Sequence, residues 1–408
     1  MPRVLDGVLG ARLESAGAVV IEGPRACGKT MTALNICNSY VFLDDPAARD
    51  LVSIAPDQLL LGARPRLLDE WQLAPELWNR VRRHVDFSRD PGQFVLTGSA
   101  VPSVDATRHT GAGRFLRVRQ HTLSWWERGA SSGTVSLAGL FAGERPAPFH
   151  EQLPYSAVVQ ELVRPGFPAM LELEESRAHA NLRGYLEEVS RADIGLLADV
   201  RHSPAAILQL VRALARSLAT EVTLSALAAD LQRIAPGIHS RTVGTYVELL
   251  ERLFVVDRQG AWTPSLRSRA RLRTSDKLHL ADPSLAAVAM GVDSAGLARD
   301  PETVGLLFES AVFHDLSVLA APLEGSVRHY RDSNGHEIDA VVVLPDGRWG
   351  AVEVKVGGGQ LPRGAASLAS AVEQIETKPE FRLVLTGTGG TYVLDDGTIS
   401  CSLAHLRP

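Results

Sequence analysis

The chain has 408 residues, 45% of them hydrophobic, with a net charge of -5 and a mean hydropathy near zero. That length suits two or three domains with separate cores, and the composition excludes a fibrous, disordered or disulfide-built protein. The three cysteines, Cys27, Cys37 and Cys401, are too scattered for a metal knuckle or a disulfide framework. No stretch of eighteen apolar residues is present, and the first residues mix charged with apolar positions, so the expectation is a cytoplasmic protein without a membrane partner.

Of the 42 basic residues only four are lysine, at positions 29, 277, 355 and 378. Where arginine is the default cation, a retained lysine points to chemistry that needs a compact ammonium. Lys29 stands in "GPRACGKT", which fits G-x-x-x-x-G-K-[ST] between a predicted strand at Gly17 to Glu22 and a predicted helix. In that context Gly23 and Gly28 let backbone N–H groups turn toward phosphates, Lys29 reaches the terminal phosphate oxygens, and Thr30 offers its hydroxyl to magnesium. The expected nucleotide contacts are Gly23, Pro24, Arg25, Ala26, Cys27, Gly28, Lys29, Thr30 and Met31.

Next in chain order, "RPRLLDEWQ" ends an apolar strand on Asp69 and Glu70. This pattern assigns Asp69 to magnesium and Glu70 to the attacking water, which favours ATP hydrolysis over transfer to a small acceptor. A third strand, "GQFVLTGSA", carries Thr97 and Ser99 at its carboxyl end, where they are expected to sense the γ-phosphate. Arg114, in "GRFLRVRQ", is a candidate γ-phosphate contact in cis or from another subunit.

Glycine, serine and proline concentrate before residue 150, which sets the first boundary there and the ATPase module at 1–150. Helical segments follow, and "VTLSALAADLQRIAPGIHSRTVGTYVELLERLFVV" reads as two helices around a Pro-Gly turn, the second opening at Ser240 as its N-cap. With a strand pair after it, this predicts a winged helix within 151–280. Positions 205–277 hold eleven basic and six acidic side chains, a local excess of five. Arg267, Arg269, Arg271 and Arg273 share one face of a predicted strand there, so DNA is a candidate partner. A packing role for this part is the alternative.

In the last region, 281–408, two alternating segments flank "LPDGR". A two-residue turn would set Asp339 opposite Val354, whereas a three-residue loop with Gly347 in the left-handed position sets it opposite Glu353. Pro345 before Asp346-Gly347 favours the second register. It would gather Asp339, Glu353 and Lys355 in the manner of a PD-(D/E)XK nuclease, with Asp339 and Glu353 holding magnesium, Lys355 positioning water, and Glu309 joining from an upstream helix.

Across nearly its full length the chain resembles the bacterial and archaeal AAA-type ATPases in which an ATPase module precedes a C-terminal domain of unassigned function. The resemblance runs through "GPRACGKT", "LLDEWQ", "FVLTGS", "GRFLRVRQHTLSWWE", "GFPAML", "SDKLHLADPSL", "LFESAVFHDL" and "HEIDAVVVLPDGRWGAVEVK". Ala26, Cys27 and "HTLSWWE" depart from the usual pattern at positions where no side chain is expected to contact phosphate or metal. The resemblance implies an α/β fold with a P-loop parallel sheet, then helical and winged-helix parts, then a restriction-nuclease-like domain. It also implies ATP and Mg2+ as cofactors. Its partner is either nucleic acid or, in the alternative reading, a protein bound by a regulatory nucleotide switch or a second copy of the chain.

Overall fold

The computed structural model describes residues 1–100, 111–197, 203–264 and 275–408. The chain divides into two compact units, one made of Met1–Thr122, Ala192–Arg201 and Glu248–Val255, the other of Leu123–Arg191, His202–Val247 and Val256–Pro408.

The first unit runs α1 (Val4–Ser15), β1 (Ala18–Glu22), α2 (Lys29–Leu34), β2 (Ser39–Phe42), α3 (Pro46–Ile54), β3 (Arg66–Asp69), α4 (Leu77–Ser88), β4 (Phe94–Gly98) and β5 (Phe115–Arg119). Its five strands are all parallel, in the order β2-β3-β4-β1-β5. Alternation along β1 explains why the first four residues of "AVVIE" are all apolar. Val20 enters a core with Leu68, Leu96, Trp78 and Val85, while Val19 and Ile21 enter another with Leu5, Leu9 and Leu13 of α1. A strand covered on both faces has no polar side.

The remaining elements are β6 (Val135–Ser136), α5 (Leu137–Phe141), α6 (Tyr155–Val163), α7 (Glu175–Glu188), α8 (Ile194–Leu197), α9 (Pro204–Arg216), α10 (Leu224–Leu231) and α11 (Ser240–Arg252). They continue with β7 (Val256–Gln259), β8 (Lys277–Leu280), α12 (Pro283–Met290), α13 (Ser294–Leu297), α14 (Pro301–Leu319), β9 (Ser326–Arg331), β10 (Glu337–Val343) and β11 (Trp349–Lys355). The chain closes through α15 (Leu361–Glu373), β12 (Phe381–Thr386), β13 (Tyr392–Val393), β14 (Ile399–Ser402) and β15 (Leu406–Arg407).

The expected helix-turn-helix elements are α10 and α11, with Gly237 at φ 79 in the turn, and the antiparallel pair β7–β8 follows. The cap of α11 differs from expectation. Thr242 and Val243 donate their N–H groups to the His239 carbonyl, so His239 precedes the helix and Ser240 is its first residue. Arg267, Arg269, Arg271 and Arg273 lie outside the described residues.

The large sheet of the second unit has the order β13-β14-β12-β11-β10-β9, antiparallel from β9 to β11 and parallel from β11 through β12 to β14. The β10–β11 hairpin pairs Ala340 with Val352 and Val343 with Trp349. Its loop is Pro345-Asp346-Gly347, closed by Leu344 N–H donating to the Arg348 carbonyl at 2.9 Å, with Gly347 at φ 89. The register is that of the three-residue loop. A left-handed glycine at the third loop position is what lets a type I turn rejoin the ladder. Helix α14 is set by the Asp300 N-cap, which accepts from Thr303 N–H, and by Pro301 at the first helical position.

Candidate functional site

The phosphate loop leaves the carboxyl end of β1 and bends back against the segment after β5. Gln120 donates its N–H to Glu22 and its side-chain amide to the Cys27 carbonyl, at 2.7 and 3.1 Å. Arg3 donates to the same carbonyl at 2.9 Å. Gly23 is required by closeness, since a Cβ there would stand 2.1 Å from the Gln120 carbonyl oxygen. Gly28 is required by conformation, at φ 97. Lys29 is buried, its ammonium donating to the Gly23 and Pro24 carbonyls at 3.0 and 2.8 Å. It therefore sits inside the turn of the loop, where a phosphate would take over its hydrogen bonds.

Around the loop, Arg25 pairs with Asp193 at 2.7 Å, and Met31 is exposed. Ala26 adopts φ 60, while burial pushes the Cys27 thiol up and keeps it neutral despite Lys29 nearby. Its Sγ faces the Gln120 carbonyl at 3.5 Å.

The acids stand two strands away from β1, and β4 lies between them. Ile21 pairs with Thr97 across β1–β4, so Thr97 falls between the loop strand and Asp69. Asp69 Oδ1 accepts from the Thr30 hydroxyl at 2.9 Å and from the Thr97 hydroxyl at 2.5 Å. Glu70 adopts φ 55, donates its N–H to Thr97 Oγ1 at 3.1 Å, and accepts from Ser99 Oγ at 3.0 Å and from the Gln72 amide. That left-handed turn separates the directions of two consecutive carboxylates, a costly conformation for a glutamate. Burial raises the Asp69 carboxyl above its ordinary value, and the two hydroxyl hydrogen bonds work against the rise. Thr97 and Ser99, expected as γ-phosphate sensors, are thus bound directly to the two acids.

Arg114 requires a correction. It precedes β5, and β5 runs parallel to β1 with Phe115 beside Ala18. The residue therefore lies at the amino edge of the sheet, a strand length of roughly 16 Å from the loop at the carboxyl edge. There it pairs with Asp86 at 2.7 Å. Contact with a phosphate bound by its own loop is out of reach.

A second constellation belongs to the other unit. Continuing the β10–β11 register by one step sets Asp339 across from Glu353, hence on one face. The pairing of β10 with β9 shifts between Ile338 and Val341, a bulge that re-aims Asp339. Its carboxylate accepts the Val354 N–H at 2.8 Å, and its carbonyl accepts from Gln259 at 2.8 Å. Lys355 Nζ donates to Glu353 at 2.7 Å and to the Val354 carbonyl at 3.0 Å. Glu309, midway along α14, joins through a residue that the sequence reading passed over. Lys277 of β8, almost fully buried, places its ammonium 2.8 Å from Glu309 and 2.9 Å from Glu337.

The electrostatics follow from burial among like charges. Burial, with the Asp339 charge adding, pushes Glu309 up to about 8 and Glu353 up to about 7. Burial also raises Asp339, against the pull of Lys277 and Lys355. Burial opposes the charge of Glu337 as well, yet Lys277 prevails and holds that carboxyl below its ordinary value. The ammonium of Lys355 is disfavoured by burial but raised on balance by Asp339 and Glu353. An open cleft of about 520 Å3, lined by Tyr155, Gly305, Glu309, Lys355 and Gln360 among others, adjoins these groups. Among the described residues, no three His, Cys, Asp or Glu side chains gather closely enough to hold a metal ion by themselves. Lys277 spaces two of the acids apart.

Lys277 and Glu337 were the functional candidates missed. The signal for Lys277 was present, since it is one of four lysines and opens an apolar strand. Glu337 offered none beyond lying two residues before Asp339.

Residues 15–128 match the AAA domain family, which together with the loop, the acids and the parallel sheet supports a P-loop AAA-type ATPase module there. Residues 156–296 match a domain of unknown function (DUF8612), and residues 304–406 match another (DUF4143). The chain is 26% identical over 350 residues to uncharacterized proteins of Mycobacterium tuberculosis and Mycobacterium bovis, spanning 84% of this chain and 71% of each relative. Among solved structures, the Walker-type ATPase of Pyrococcus abyssi is similar at 15% identity and a TM-score of 0.39, over 70% of this chain and 94% of that one. No helix among the described residues is long and apolar enough to cross a membrane.

Proposed function

We propose that the protein hydrolyses ATP in its N-terminal module and couples that cycle to nucleic acid through its C-terminal half. The observation that carries the first part is Thr97, whose hydroxyl binds Asp69 and the Glu70 N–H at once. Gly23 to Met31 wrap the phosphates, and Lys29 exchanges its loop carbonyls for phosphate oxygens. Thr30 and Asp69, joined by a hydrogen bond at 2.9 Å, are the residues that would hold magnesium, which would supply charge neutralisation at the phosphates. Glu70 orients the attacking water and takes its proton, while Ser99 keeps that carboxylate aimed. Arg114 serves, in this reading, only toward the nucleotide of a second copy.

The coupling to nucleic acid is supported by the α10–α11 pair with β7–β8 after it and by the local excess of five positive charges. It is supported also by the carboxylate and lysine cluster, carried on the element order α14-β9-β10-β11-α15-β12. We read 1–150 as ATPase, 151–280 as helical and winged-helix, and 281–408 as nuclease-like, with Asp339 and Glu353 holding a divalent ion and Lys355 positioning water. A specific observation favours a second reading, a nucleotide switch with a degenerate nuclease-like domain that binds a protein. Lys277 already pairs with both Glu309 and Glu337, an ion-pair cluster that stands without a metal.

The test is the ATPase rate with and without double- and single-stranded DNA, alongside DNA binding as salt is raised. The coupled reading expects a faster rate with DNA and binding that weakens steeply with salt. Replacing Arg267, Arg269, Arg271 and Arg273 by glutamine should flatten that slope by about one counterion per lost phosphate contact. An ATPase indifferent to either DNA, with no DNA binding, would leave the switch reading in its place.

A further inference from the structure

The peptide joining Cys27 to Gly28 has its orientation chosen from outside the phosphate loop. Its carbonyl oxygen accepts from Arg3 Nη1 at 2.9 Å and from Gln120 Nε2 at 3.1 Å, which occupies both lone pairs. Each donor is itself anchored. Gln120 is 1% exposed and donates its backbone N–H to the Glu22 carbonyl at 2.7 Å. Arg3 precedes α1, donates its backbone N–H to Asp6 at 2.8 Å, and sends Nη2 to the His121 carbonyl at 2.9 Å. One guanidinium fork thus bridges the loop and the segment after β5.

In a trans peptide the N–H points opposite to the carbonyl. With the Cys27 carbonyl turned out toward Arg3 and Gln120, the Gly28 N–H is turned away from them. Glycine does not select this state by itself. Gly28 stands at φ 97, and without a Cβ it would accept the flipped peptide, with φ of the opposite sign, about as readily. A flip would take the same acceptor from both donors, one of them a buried amide, and that loss is what opposes it.

We propose that Arg3 and Gln120 are positioning residues of the nucleotide site, holding the Cys27–Gly28 peptide so that the Gly28 N–H is preset as a donor to a phosphate in the loop. The proposal rests on reading "GPRACGKT" as the nucleotide loop. Neither residue touches the nucleotide in this account; both act through the Cys27 carbonyl. Presetting raises affinity because a loop that must first flip its peptide binds in proportion to the fraction already in the binding state. The gain belongs to phosphate binding and is kept through hydrolysis, so it falls on KM rather than on kcat. Arg3 could also act at a distance, as a positive charge near the phosphates. Gln120 is neutral and separates the two effects.

The test uses the full chain with Gln120→Met, Arg3→Met and both together. Methionine keeps the unbranched stem of each side chain and removes its donors. ADP and ATP affinities are measured by titration calorimetry, steady-state ATP hydrolysis gives KM and kcat, and thermal unfolding without nucleotide reports the fold. Gln120→Met should bind ADP about fivefold more weakly, the effect of one hydrogen bond, and the double variant more weakly still. KM for ATP should rise by a similar factor while kcat changes by less than about twofold. Arg3 also serves the start of α1, so if Arg3→Met does not fold, Gln120→Met decides alone. A folded Gln120→Met that binds ADP and ATP as the intact protein does overturns the proposal and leaves the nucleotide-loop reading standing. Weakening in Arg3→Met alone also overturns it and assigns the effect to charge, and a fall in kcat with KM unchanged overturns it too. Intact protein that binds neither nucleotide defeats the loop reading and the proposal with it.

Discussion

Thr97→Val removes one hydroxyl and almost no volume at a position that is fully buried. The hydroxyl donates to Asp69 at 2.5 Å and accepts from Glu70 N–H at 3.1 Å, so both partners lose a hydrogen bond where water does not reach freely. A hydrogen bond to a charged group and a stranded backbone N–H together cost about 3 kcal/mol, which equilibrium unfolding in urea would register. The kinetic consequence is larger in proportion. Glu70 is held in its left-handed turn partly by that N–H bond, and if it orients the attacking water as proposed, a displacement of even about 1 Å lowers turnover on the order of a hundredfold. The loop contacts of Lys29 are untouched, so KM for ATP should change little. There is also a signature in pH. The Thr97 bond works against the burial-driven rise of Asp69, so its loss should move the acidic limb of the rate profile to higher pH. Steady-state phosphate release across pH reads all three effects. A variant with normal turnover and a raised KM would refute the reasoning, because it would mean that Thr97 touches the nucleotide rather than the acids.

On the proposed nuclease-like reading, Lys355→Arg should abolish metal-dependent cutting of nucleic acid while leaving the fold intact, since a guanidinium can keep the ion pair to Glu353 but cannot position water from the same point. Cleavage at the original rate would reduce Lys355 to a structural ion-pair partner. In metal-free buffer, Glu309 and Glu353 should make the protein less stable as pH rises. Their folded values of about 8 and about 7 lie above the ordinary 4.5, so their contribution is intact in acid and is lost as pH climbs through those values. Glu309→Gln should flatten that decline by on the order of 3 kcal/mol in urea unfolding, and a curve parallel to the original would contradict it.

Local chemistry was legible wherever it lay within one turn or one strand end. "GPRACGKT" announced its loop because glycines, lysine and threonine are needed at fixed offsets, and Pro345-Asp346-Gly347 announced a register because proline suits the first position of a type I turn and Gly347 the left-handed position that follows it. The cis half of the Arg114 expectation failed because its reach depends on which end of β5 it occupies, and the direction of a strand in a sheet is a tertiary fact. Thr97 and Ser99 were identified as site residues, but their attachment to Asp69 and Glu70 depends on β4 being inserted between β1 and β3. Lys277 joins Glu309 across 32 positions and Glu337 across 60. No periodicity carries such a meeting; only the scarcity of lysine hinted at it.

The central claim is that Asp69 and Glu70 serve a hydrolytic water while the loop holds the nucleotide. A single-turnover measurement with Mg2+ and labelled ATP separates the two on Glu70→Gln and Lys29→Ala. The account predicts that Glu70→Gln binds ATP within about threefold of the original affinity and slows phosphate formation on the order of a hundredfold, whereas Lys29→Ala loses binding. Phosphate formed by Glu70→Gln at the original rate, or equal loss of ATP binding by both folded variants, would contradict it.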